Sequence, residues 1–197
     1  MNSNKKTAVM VAVLFLTSTV AAMIGSALID SYFIDKNPDY SQLIIAVLFW
    51  DYCSVAVALI GVLMFPILKP HNKSLAVGYA FFRIIECAVI IIIGIYFLSS
   101  LIYIQNYYLL IYIPSGIAGL ILSYGLYQSK LVPRSISVLG LIGYALLLCA
   151  TMIEYIDPSL NANVLFIFLI LYLPGTVFEI LLPVWLIVKG FNSDAYS

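Results

Sequence analysis

Charge is scarce in this sequence: only 9% of its 197 residues are Asp, Glu, Lys or Arg, against about 25% in soluble domains. The nine basic and nine acidic residues cancel, so there is no electrostatic footprint for nucleic acid and none for strongly basic partners. Histidine is reduced to His71, in a loop. The three cysteines, Cys53, Cys87 and Cys149, sit singly inside apolar runs. Neither a metal site nor a disulfide framework is expected from such spacing. Glycine motifs for phosphate or dinucleotide binding are missing, and no HExxH pair, no serine, histidine and acid set and no Gly-x-Gly-Asp context appears. The sequence therefore offers no catalytic constellation and calls for no cofactor.

What fills the space instead is apolar: 64% of the residues are hydrophobic. A bilayer core about 30 Å thick needs about 20 mainly apolar residues in a helix. Six runs of that size are present, Thr7 to Ile29, Leu43 to Leu68, Leu75 to Leu98, Tyr107 to Gln128, Ser135 to Tyr155 and Val164 to Val188. Polar turn sequences such as Lys69-Pro70-His71-Asn72-Lys73 separate most of them. The stretch from Ser99 to Asn106 is a weaker boundary because it carries no charge. The expectation is an all-α, six-helix transmembrane bundle forming a single domain over 1–197, in contact with the lipid bilayer and with no soluble domain between spans. Lys5-Lys6 followed by apolar and small residues also resembles a signal peptide, but the apolar run exceeds the usual 7 to 15 residues, so a retained first helix is expected.

Orientation follows from lysine and arginine near the span ends. With the N-terminus inside, the cytoplasmic side receives Lys5, Lys6, Lys69, Lys73, Lys130, Arg134 and Lys189, and the outer side only Lys36. Both termini are thus expected in the cytoplasm. The basic rim has a residual capacity for anionic lipid headgroups. Small residues at four-residue intervals, Ser18, Ala22 and Ser26 in the first span and Ser115, Gly119 and Ser123 in the fourth, with Gly140 and Gly143 in the fifth, predict close helix contacts. Tyr103, Tyr107 and Tyr108 mark an interfacial belt. No internal repeat is evident, and a dimer is permitted.

Ionisable groups inside a bilayer cost at least about 2.5 to 3.5 kcal/mol each on insertion scales, so Asp51, Arg83, Glu86 and Glu179 require a reason. Depth along the helices, at about 1.5 Å per residue, predicts that Arg83 pairs with Glu179 and that Glu86 is shared with the Asp51 side. Tyr79, Arg83, Glu86 and Ile90 form one stripe of span three, and Tyr172, Gly175 and Glu179 one stripe of span six. The two stripes are expected to face each other. Glu154 is expected to reach the interface. Pro114, Pro174 with Gly175, and Pro183 are expected helix breaks, since an interior proline removes a backbone bond that must be satisfied elsewhere.

Three stretches carry a family resemblance: Phe82-Arg83-Ile84-Ile85-Glu86; Leu131-Val132-Pro133-Arg134 leading to Gly140-Leu141-Ile142-Gly143-Tyr144; and Pro174-Gly175 with Phe178-Glu179 and Trp185 to Phe191. The chain resembles the small bacterial membrane proteins of domain-of-unknown-function family 4386. That resemblance implies a six-helix protein of the bacterial inner membrane and picks out Arg83, Glu86 and Glu179, but implies no activity and does not reach Asp51.

Three carboxylates against one base leave the buried cluster net negative when all ionise, so it should hold a proton or attract a small cation. Together with kinked helices this points to a small cation- or proton-coupled transporter or channel. The alternative is a non-catalytic membrane module that binds a lipid or protein partner, with the buried charges acting as a structural clasp.

Overall fold

A computed structural model describes residues 3–35, 38–156 and 165–192. Among them are six α-helices: α1 (Ser3–Ile34), α2 (Tyr40–Leu68), α3 (Lys73–Ser100), α4 (Tyr108–Ser129), α5 (Arg134–Ile156) and α6 (Leu165–Val188). All six are long and apolar enough to cross a membrane. The chain is an integral, multi-pass membrane protein.

Local chemistry sets the helix ends. The Asp39 side chain accepts from the Ser41 amide at 2.9 Å and starts α2, while Asn72 accepts from the Leu75 amide at 3.2 Å and starts α3. Both are N-caps that satisfy an otherwise orphaned amide. Leu101 and Lys130, in the left-handed region at φ 56° and 55°, stop α3 and α4. With the apolar Ser99 to Asn106 stretch, the expected ends are therefore missed by only a few residues. The first helix is the largest departure: α1 runs 32 residues, longer at both ends than its apolar run, because backbone hydrogen bonding continues past the hydrocarbon thickness.

Each helix packs on its neighbour in sequence, and α6 closes on α1, so the six form a ring with α2 and α4 touching across it. Among the described residues α3 and α6 make no extended helix–helix contact. The two stripes face each other only across the interior. Lys5 of α1 lies beside Gly190 after α6, and the Asn192 amide donates to the Leu131 carbonyl at 2.9 Å. Both described ends thus sit with the α4–α5 turn at one end of the bundle, which carries the lysine and arginine rim and is called the basic end below.

The bundle is apolar outward. On α3, Val77, Phe81, Ile84, Ile92 and Ile95 are exposed, whereas Tyr79, Arg83 and Glu86 are buried. The buried set Ala76, Tyr79, Arg83, Glu86, Ile90, Ile93 and Phe97 recurs at alternating intervals of three and four, one face of a helix. Lipid-facing helices invert the soluble pattern because hydrocarbon is the solvent.

The expected breaks do not interrupt their helices. α4 continues through Pro114, and α6 continues through Pro174, Gly175 and Pro183. At Gly175 the reason is packing: a Cβ on Gly143 would lie 2.5 Å from the Gly175 nitrogen. The backbones of α5 and α6 meet there directly, and Pro174-Gly175 serves that approach.

Candidate functional site

The buried stripe of α3 carries its own ion pair. Arg83 Nη1 donates to Glu86 Oε2 at 2.8 Å, and Arg83 Nε donates to the Tyr79 hydroxyl at 3.1 Å. The guanidinium lies over the rings of Tyr79 and Phe15, 5.3 and 5.6 Å from their centroids. Such stacking suits a weakly hydrated planar cation. Its third nitrogen, Nη2, has no acceptor among the described residues. Gly61 makes room for this arginine, since a Cβ there would come within 2.9 Å of Arg83 Cβ.

Glu179 is held differently from expectation. No salt bridge joins it to Arg83 among the described residues; instead the Tyr144 hydroxyl donates to Glu179 Oε1 at 3.0 Å. Depth placed Arg83 near Glu179, but a residue three positions away on the same helix is always in reach, and Glu86 takes the arginine first. Tyr144 is buried, packs edge-on against Phe178 at 5.7 Å, and occupies space that a side chain at residue 119 would fill, 2.3 Å from its ring. Gly119 therefore sets the position of the group that orients Glu179.

Asp51 stands apart. It is half-buried, and no hydrogen bond or ion pair from a described residue reaches its carboxylate. Its neighbours Trp50 and Cys53 point inward, and 100° of helical rotation turns Asp51 off that face. The expected sharing of Glu86 with Asp51 is not formed. Tyr172 also has another partner: with Tyr108 it donates to Glu154, in its case at 3.4 Å. Glu154 is only 1% exposed, so at the outer end of its span it faces the interior of the bundle. Burial continues to the end of the span because Ser137, Gly140, Tyr144, Leu147, Thr151 and Glu154 continue one helical face. That stripe was a legible signal for both Tyr144 and Glu154.

A cavity of about 450 Å³ is lined by Arg83, Glu86 and Glu179. Phe15, Arg83 and Glu179 lie at its floor, and Ser26, Trp50, Tyr107 and Tyr108 at its far end. From Phe15 to Ser26 is about 17 Å of helix rise. Glu86, Cys53, Tyr112 and Ser115 line the sides. Two lining residues, Met23 at 69% exposure and Thr176, also reach the outer surface of the bundle. The small residues Ser18, Ala22 and Ser26, expected to bring helices together, border this void, and Ser26 accepts from the Trp50 indole at 3.2 Å.

Away from the basic end an aromatic cap closes the ring. Asp30 accepts from Tyr103 at 3.1 Å and from Tyr107 at 3.2 Å. Burial, then the Asp30 carboxylate, pushes the Tyr103 phenol up to about 12 and raises that of Tyr107 further. Toward the basic end the interior is solid, with Met64, Leu68, Leu122, Leu126, Leu182 and Leu186 in one core.

Chemically, Arg83 and Glu86 neutralise each other, which leaves Glu179 as the cavity carboxylate with no cationic partner. Its Oε2 has no donor among the described residues. A carboxylate in that setting has the chemistry to accept a proton or a cation. No group of three or more metal-ligating side chains occurs among the described residues.

Comparison with known proteins is informative at the family level only. The family described as Domain of unknown function (DUF4386) matches residues 10–108 and 98–190. No curated protein and no solved structure matches the chain.

Proposed function

The chain belongs to the DUF4386 family, whose description assigns no activity, and on that footing we propose that it is a small transporter coupled to a proton or cation through Glu179. The observation that carries this reading is the one-sided cavity: it leads to Glu179 from one half of the bundle and ends on a packed core in the other. A channel needs a continuous path, whereas a site open to one side at a time is what alternating access requires. In this reading Glu179 exchanges its proton with the cavity, Tyr144 orients it, and Arg83 with Glu86 sets the local field. Asp51 has no part.

The basic end faces the cytoplasm, by the excess of lysine and arginine there, and the cavity lies in the half nearer the outer side of a bacterial inner membrane, reaching the surface at Met23 and Thr176. The bundle works as a single domain over 1–197, alone or as a dimer. A second reading, a membrane module that binds lipid with structural charges only, draws support from an apolar groove on the outer face of α1 and α2, bordered by Val20, Leu48 and Tyr52.

Proton and alkali-cation flux in proteoliposomes separates the two. Wild-type flux that disappears in Glu179→Gln, with both proteins equally folded and inserted, is the expected result. Absence of flux across a range of ions and pH removes the transporter reading and leaves the lipid-binding module.

A further inference from the structure

The charge and the walls of the cavity together select a ligand class. Two carboxylates, Glu86 and Glu179, line it, and four rings, Trp50, Tyr107, Tyr108 and Tyr112, line the part beyond them. Carboxylates accept and never donate while ionised, and aromatic faces carry negative quadrupole density that attracts cations. Arg83 is the one positive group there, and it is engaged by Glu86 at 2.8 Å and by Tyr79 at 3.1 Å. The three charged side chains therefore sum to one negative charge when ionised.

A divalent cation fits poorly, because magnesium or calcium demands six or more oxygens at about 2.0 to 2.6 Å and no cluster of three acidic, histidine or cysteine ligands exists among the described residues. A neutral apolar ligand would strip water from Glu179 and return nothing. The volume, about 450 Å³, lies within the usual range for small organic ligands, roughly 300 to 1,000 Å³.

We infer that the cavity binds a monovalent organic cation, an amine or quaternary ammonium bearing an aromatic or branched apolar group, with its charge at Glu179 and its apolar part among Trp50, Tyr108 and Tyr112. The inference takes its route across the membrane from the transporter reading, but binding itself stands apart from it. Protons compete for the same oxygen. The titratable groups around Glu179 are Cys53 from α2, Tyr79, Arg83 and Glu86 from α3, Tyr112 from α4 and Tyr144 from α5, while α1 presents Phe15 and Ser18. Thiols and phenols stay neutral in acid, so acid weakening of binding reports the carboxylates. The rival is an anion taken by Arg83 Nη2, which has no acceptor among the described residues.

The chain contains two tryptophans, so a Trp185→Phe background isolates the emission of Trp50 at the cavity. The full-length protein in lipid nanodiscs is titrated with benzyltrimethylammonium and, separately, with phenylpropionate. The expected result is a saturable change with the ammonium alone, weakened about tenfold or more as the pH is lowered from about 7 to about 3, through the ordinary carboxylate range, and about thirtyfold or more by Glu179→Gln. Saturation by phenylpropionate in place of the ammonium overturns the inference, as does saturation by neither or an ammonium affinity indifferent to pH. None of those three outcomes depends on a carboxylate variant folding. Ammonium binding without any flux retains the ligand class and removes the transporter reading; proton flux without ammonium binding does the reverse.

Discussion

Around Leu122 and Leu126 the ring of helices closes on itself, while about two to five turns earlier on the same helix Tyr108, Tyr112 and Ser115 border a void. The basic half is filled by Leu, Met and Phe from four helices, α1, α2, α4 and α6. The other half has Ser18, Ala22 and Ser26 on α1 where the basic half has Val11 and Phe15. Small residues on a membrane helix have two uses: they let a neighbour approach, as Gly143 does at Gly175, or they leave space. Which use prevails depends on whether the facing residue fills the gap. The charged groups sit where filled and open halves meet, so Arg83 and Glu86 have the packed core on one side and the cavity on the other.

Breaking the ion pair at this junction should have the largest effect on stability. Arg83→Met leaves Glu86 buried without its partner, and removing one member of a buried pair typically costs about 3–5 kcal/mol. The check is equilibrium unfolding in mixed micelles. Arg83→Met combined with Glu86→Leu replaces the pair by apolar groups and should recover most of the loss, while leaving a cavity that no longer supports flux. A single variant as stable as the wild type would show that the two halves are not joined through this pair.

The fold was largely readable because each span announces itself by length and apolarity, and because hydrocarbon forces every backbone group into helix. The face of α3 was readable too, since Tyr79, Arg83, Glu86 and Ile90 keep helical spacing. Partners were not. Depth ranks residues along the membrane normal but says nothing of azimuth around a ring, so it pairs Arg83 with Glu179 across the interior although Glu86 stands one turn away. The α5 stripe marks the face of Tyr144, but only the packed bundle shows that Glu179 is its partner.

The aromatic cap offers a test confined to the open half. Tyr103 holds its proton more tightly in the folded protein than the ordinary value of 10.0, up to about 12. A phenol raised on folding adds stability that is fully present below pH 10 and is lost as the pH climbs toward 12. The melting temperature should therefore fall over that window, and Tyr103→Phe should flatten part of the fall. The group is partly exposed, so screening keeps the effect modest. A melt whose pH slope is unchanged by Tyr103→Phe would place the alkaline sensitivity elsewhere in the bundle.

Asp51 should give the smallest effect of all, and that smallness is informative. An aspartate within a span is costly on insertion scales, and sequence alone ranks it with Arg83, Glu86 and Glu179. Its side chain is half-buried, off the cavity face of α2, and without a hydrogen bond or ion pair from a described residue. Asp51→Asn removes the charge and keeps the shape, so unfolding should shift by no more than about 0.5 kcal/mol and ammonium binding should not shift at all. If Asp51→Asn instead weakens binding as Glu179→Gln does, the field of the cavity extends through α2, and the negative charge assigned to Glu179 alone must be divided between the two carboxylates.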